Sequence, residues 1–154
     1  MSAQVSDTIK TVQRLTAQLR PEILDDLGIA VAIEWYAKEF AHRNNVCISL
    51  NIDPEISIPP EASLTIFRIM QESLTNIARH SGATKVDIGL NIVGESLHFN
   101  ISDNGIGITE KELNSKKSFG IKIMKERVVS LGGTFEIYNE NGTIIKLTLP
   151  AKIH

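Results

Sequence analysis

Three features of the sequence predict an α/β (α+β) sandwich in which helices cover one face of a mixed β-sheet. Helical and strand periodicities alternate in the order helix, strand, helix, hairpin, helix, hairpin, enough for one layer of each kind. Segments of alternating hydrophobicity are joined by Gly94-Glu95 and by Asn139-Glu140-Asn141-Gly142, both short turn signals. A chain of 154 residues with 42% hydrophobic content can bury one core, so a single globular unit is expected.

From about Val5 to Leu19, apolar residues Val5, Ile9, Val12, Leu15 and Leu19 recur at helical spacing until Pro21 ends the pattern. That stripe suits one arm of a helical bundle and equally a simple docking helix. Asp25 or Asp26 can cap a second helix reaching about Arg43, with Leu27, Val31, Ile33, Ala37 and Phe40 offered for burial and Trp35 and Tyr36 packing beside them. Val46 to Ile52 alternates as a strand. The single cysteine, Cys47, reads there as a small hydrophobe, since nothing nearby in sequence would lower its pKa.

Pro54, Pro59 and Pro60 mark the connection to a helix from about Glu61 to His80. Lys85 to Val93 and Ser96 to Ser102 form the first predicted hairpin. Asp103-Asn104-Gly105-Ile106-Gly107-Ile108 then interrupts the sheet, and the polar stretch from Thr109 to Ser118 is a candidate lid. A helix from about Phe119 to Leu131 is closed by Gly132-Gly133, and Thr134 to Tyr138 with Ile144 to Leu149 make the last hairpin.

With 18 acidic and 16 basic residues the formal charge is −2, which leaves no global basic footprint for nucleic acid. Anion binding must therefore come from local groups. Neither a signal peptide nor a membrane-spanning run is present, so this segment is expected to be cytoplasmic and to make no membrane contact. A longer parent chain can still carry an anchor.

Within the Glu61 to His80 helix, Glu72, Asn76, Arg79 and His80 share one side at spacings of three and four, opposite an apolar face of Ile66, Ile69, Met70, Leu74 and Ile77. Oxygens from Glu72 and Asn76 suit Mg²⁺, whose remaining positions are shared by waters and substrate phosphates. A solvated polar face is the other reading of the same pattern. Arg79 and His80 can either complement the helix dipole or reach phosphate oxygens. Asp103 offers a carboxylate at a strand end, able to accept from an exocyclic amine, with Gly105 and Gly107 allowing close approach of a flat ligand; in isolation the motif is also an ordinary Asp-Asn-Gly turn. Gly120 and Ile121 lie where backbone N–H groups at a helix start could meet phosphate, and the Thr143 hydroxyl could contact a nucleotide.

Together these segments resemble the ATP-binding domain of bacterial sensor histidine kinases, within the GHKL superfamily shared by gyrase, Hsp90 and MutL. The run Gln71-Glu72-Ser73-Leu74-Thr75-Asn76-Ile77-Ala78-Arg79-His80 is similar to the family's asparagine box, Asp103 to Gly107 to its first glycine box, and Ser118 to Met124 to its second. Leu19-Arg20-Pro21-Glu22-Ile23-Leu24-Asp25-Asp26-Leu27-Gly28 resembles the junction between dimerisation helices and ATPase domain in the nitrate-sensor and DesK-like subfamily. Met124 to Gly133 and Gly142 to Pro150 extend the likeness.

The resemblance implies a two-layer Bergerat-type sandwich preceded by a helical segment, with residues 1–20 ending a dimerisation helix and residues 21–154 forming the ATP-binding domain. It implies that Asn76 ligates Mg²⁺, Asp103 reads the adenine amine, Gly105 and Gly107 make room for the base, Gly120 borders the triphosphate, and Arg79 and His80 lie near the phosphates. Glu72 matches the carboxylate that activates water in hydrolytic relatives; in a kinase it organises magnesium and solvent.

The implied function is presentation of Mg-ATP to a histidine on the protein's own dimerisation domain and onward transfer to a response regulator, with a homodimer in the full-length protein. Two departures stand out. Ile123 replaces a usual glycine, and no histidine precedes Pro21, so the usual phosphoacceptor is expected to be absent from this chain, with no autophosphorylation of it alone. A GHKL ATPase switch using Glu72 as general base, a serine-kinase-like anti-sigma regulator and a degenerate partner-binding domain are the alternatives.

Overall fold

The computed structural model describes residues 22–109, 111 and 119–151. The stripe from Val5 to Leu19 and the lid candidate beyond Thr109, apart from Lys111, lie outside the described residues. Four α-helices and five strands are described: α1 (Glu22–Leu27), α2 (Ile29–Asn44), β1 (Cys47–Ile52), α3 (Pro60–Asn76), β2 (Lys85–Val93), β3 (Ser96–Asp103), α4 (Phe119–Ser130), β4 (Thr134–Asn139) and β5 (Thr143–Pro150). A π-helical turn, Ile77–Ser81, follows α3 without a break.

The sheet order is β1-β2-β3-β5-β4. β1 runs parallel to β2, and the remaining pairs are antiparallel, so the sheet is mixed as predicted. In the register Val86 opposes Asp103, Ile88 opposes Ile101 and Leu90 opposes Phe99, all on one face. That face is buried: Ile88, Leu90, Leu97, Phe99 and Ile101 are each 2% exposed or less. Alternation sends Asp87, Asn91, His98 and Asn100 to the opposite face.

α3 is the central helix of the other layer. Pro60 opens it at a position whose N–H would have no intrahelical partner, and Ile66, Phe67, Ile69, Met70 and Leu74 are buried along it. Burying a side chain such as Phe67 contributes about 1.5–3 kcal/mol relative to leaving it in water. The Tyr36 ring meets Phe67 edge-on with centroids 5.6 Å apart, docking α2 onto α3.

Three expectations are corrected. The helix predicted from Asp25 or Asp26 to Arg43 is broken at Gly28, whose φ of +88° costs glycine little and other residues much. Ile33, Ala37 and Phe40 are buried, but Leu27, Val31 and Trp35 are 60%, 40% and 44% exposed: Leu27 ends α1 beside the break, and Val31 and Trp35 lie on the side of α2 opposite Ile33 and Ala37. Cys47 is exposed rather than packed, since it starts an edge strand and alternates with the inward-facing Ile48.

Candidate functional site

Asp103 is the last residue of β3 and, by alternation, lies on the helix-facing side of the sheet, where it is 8% exposed. Its Oδ1 accepts hydrogen bonds from the N–H of Gly105 at 2.8 Å and of Thr143 at 3.4 Å. Oδ2 receives no hydrogen bond among the described residues. A buried carboxylate with one oxygen fixed and the other unengaged is oriented to accept from a ligand N–H.

The loop that follows is shaped by side chains outside the predicted set. Asn104 Oδ1 accepts from the N–H groups of Thr84 and Lys85 at 2.9 and 3.0 Å, and its Nδ2 donates to Thr84 Oγ1 at 3.0 Å. Farther on, the Asn139 amide pairs with the backbone of Ile108. Gly105 thus contributes its N–H, while Gly107, at φ +83°, takes a conformation that favours glycine. Sequence reasoning assigned Asn104 and Asn139 only to turns. Nothing local marks them, since their partners lie 20 and 31 residues away.

The second half of the site is the seam between α3 and α4. A Cβ on Gly120 would stand 2.6 Å from Glu72 Oε1, so the carboxylate lies directly against the first turn of α4. The N-terminal end of a helix carries partial positive charge and unpaired N–H groups, which favours a carboxylate or phosphate there. One helical turn before Glu72, burial and then the nearby Arg127 charge lower the Arg68 guanidinium from its ordinary value. Glu72 beside Gly120 and Arg68 near Arg127 show α3 and α4 running antiparallel.

Asn76 ends α3, one turn beyond Glu72. Arg79 and His80 follow in the π-turn, and Arg79 is exposed. Ile121 is 8% exposed and lines a cavity of about 480 Å³ with Lys122, Lys125 and residues Phe135 to Tyr138, on the flank of α4 beside β4. The hydrogen bonds therefore bring Asp103, Gly105 and Thr143 together, Glu72 meets Gly120, and Ile121 faces a separate space.

The family described as "Histidine kinase-, DNA gyrase B-, and HSP90-like ATPase" matches residues 61–153, a span containing Glu72, Asn76, Asp103, Gly120 and Thr143. The sensor histidine kinase MctS of Rhizobium johnstonii is 29% identical over 95% of this chain and 32% of its own length. The histidine-protein kinase/phosphatase UhpB of Salmonella typhimurium is 35% identical over 92% of this chain and 28% of its own. This chain therefore spans about a third of the length of these relatives.

Among solved structures, the histidine kinase domain of the Erythrobacter litoralis EL346 blue-light activated kinase aligns with a TM-score of 0.71 at 20% identity, over 84% of this chain and 69% of that one. The catalytic domain of the histidine kinase ThkA aligns at 0.63 and 13% identity, covering 85% of this chain and 95% of that one. At those identities the likeness is one of fold. The family match and the sensor-kinase relatives together make this chain a member of the histidine kinase-, gyrase B- and Hsp90-like ATPase family, carrying a sensor-kinase ATP-binding domain.

Proposed function

We propose that this domain binds Mg-ATP between α3, the loop after Asp103 and the start of α4, and presents the γ-phosphoryl group to a histidine on the dimerisation domain of its parent protein. Asp103 carries the reading: Oδ1 is held by Gly105 and Thr143, which leaves Oδ2 for the exocyclic amine of adenine. Gly105 and Gly107 keep side chains clear of the base. The first turn of α4, at Gly120, faces the polyphosphate with its N–H groups.

The donor set fits magnesium. Asn76 and Glu72 would supply hard oxygen ligands, the donor type this ion prefers. A site of this kind suits an ion that arrives with the nucleotide and keeps most positions for water and phosphate. Asn76 would be the direct ligand of the ion and Glu72, which lies against Gly120, would order its solvent; the ion would supply neutralisation of phosphate charge. By their place in the asparagine box, Arg79 and His80 are assigned to the phosphate end of the site.

Transfer then proceeds by positioning and charge neutralisation rather than through a covalent intermediate on this domain. In the intact homodimer the phosphohistidine passes its group to a response regulator. No helix among the described residues is long and apolar enough to cross a membrane.

Calorimetry of ADP and a non-hydrolysable ATP analogue, with and without Mg²⁺, tests the assignment. Asp103→Asn exchanges an acceptor oxygen for a donor NH₂ or turns the amide away from Gly105, and is expected to weaken adenine nucleotide binding at least about tenfold. Equal affinity in wild type and variant, or binding in neither, would remove Asp103 from the nucleotide site.

A further inference from the structure

The loop from Asn104 to Ile108 is pinned at both ends by asparagine side chains. Asn104 ties its start to Thr84 and Lys85, while Asn139, the last residue of β4, ties its end. The Asn139 contact is two-sided: Oδ1 accepts from the Ile108 N–H at 2.8 Å, and Nδ2 donates to the Ile108 carbonyl. The same amide packs over Gly107, where a Cβ would stand 2.9 Å from Asn139 Oδ1. Between the two anchors Gly105 reaches Asp103, and Ile106 projects from the tip, 81% exposed.

One primary amide thus satisfies the donor and the acceptor of one residue, as a neighbouring strand would. An alanine satisfies neither, an aspartate lacks the donor, and a glutamine keeps both groups one methylene farther out. Without this pairing the Gly107–Ile108 backbone loses its tie to β4, and the geometry that aims Asp103 loosens. Oδ1 would lose the fixed Gly105 N–H that decides which carboxylate oxygen is left for ligand.

We propose that Asn139 is a positioning residue for base recognition, clamping the Gly107–Ile108 backbone to the β4–β5 hairpin so that Gly105 and Thr143 orient the Asp103 carboxylate. The proposal rests on the assignment of Asp103 to the adenine amine, and it adds a residue outside the glycine loop to that function. Its chemistry makes a specific demand. Asn139 should govern discrimination between nucleotides with and without the exocyclic amine, not nucleotide affinity in general.

Two measurements on the full chain test it, using wild type, Asn139→Ala and Asn139→Gln. Amide hydrogen exchange in the absence of nucleotide reads the clamp, and Ile108 in Asn139→Ala is expected to exchange about tenfold faster or more, with partial recovery in Asn139→Gln. Calorimetry with ADP and with inosine diphosphate, which lacks the amine, reads recognition. Asn139→Ala is expected to weaken ADP about tenfold and inosine diphosphate less than about twofold, so the preference shrinks.

A merely structural role would lower both affinities alike, and that result, or unchanged Ile108 exchange, overturns the proposal. A wild-type chain with no preference for ADP overturns the Asp103 assignment itself. A preference that survives Asn139→Ala intact overturns only the role of Asn139.

Discussion

Gly142 rests on the peptide of Asp103: a Cβ at position 142 would stand 1.9 Å from the Asp103 carbonyl oxygen and 2.7 Å from its carbonyl carbon. The turn between β4 and β5 therefore packs backbone to backbone against the strand end that carries the candidate base-reading carboxylate. Its φ of +134° adds a second reason for glycine. Gly142→Ala is expected to destabilise the fold by about 3 kcal/mol or more, with loss of nucleotide binding, because neither neighbour is a flexible side chain. Urea unfolding checks this, and a change under about 1 kcal/mol would mean the turn relaxes freely.

Gly120 presents the opposite case. The group nearest its missing Cβ is the far end of the Glu72 side chain, which can move. Gly120→Ala should leave stability unchanged or raise it by up to about 1 kcal/mol through helix propensity. It should nonetheless displace Glu72 and weaken Mg-nucleotide binding more than binding of nucleotide alone. Paired titrations with Mg²⁺ and with chelator decide it, and equal losses in both would detach Glu72 from the ion.

Burial separates Trp35 from Tyr36, which sequence reasoning packed side by side: Tyr36 lies against the core and Trp35 does not. Phe67 is fully buried against Tyr36, whereas Trp35 is 44% exposed. Phe67→Ala should cost about 3–5 kcal/mol and Trp35→Ala clearly less, measured by denaturant unfolding. Similar costs would require Trp35 to be covered by a surface beyond the described residues.

Tyr36 gives the pH dependence. Burial raises its phenol above the ordinary value, with Arg43 pulling weakly the other way. The native state thus keeps its proton at pH values where the unfolded chain releases it. Stability from this group is fully present below about pH 10 and falls as pH rises through the raised native value. Tyr36→Phe should flatten the alkaline limb of the unfolding midpoint. An alkaline limb identical in wild type and variant would assign that loss of stability to other groups.

Most of the architecture was legible in the sequence because its causes are local. β2 begins and ends where the alternation from Lys85 to Val93 does, and the buried face of α3 is the one its helical period marks out. Gly28 could be seen as a residue but not as a break, since only its φ distinguishes a helix interruption from a tolerated glycine. Leu27 is exposed at the end of α1 beside that break, whereas Val31 and Trp35 lie on the side of α2 opposite Ile33 and Ala37, a division the helical period itself marks.

The same division runs through the site. Sequence by itself determined which residues stand in the glycine loop, the polar helix and the second helix start, and a family pattern of residue types in fixed order suffices for that. Tertiary structure decided which of them meet. It set Asp103 under Gly105 and Thr143 and Glu72 against Gly120, and it recruited Asn139 to Ile108 across 31 residues. Those pairings depend on strand order and on the packing of α3 against α4. They are fixed by contacts between distant segments, whose partners no local spacing can name.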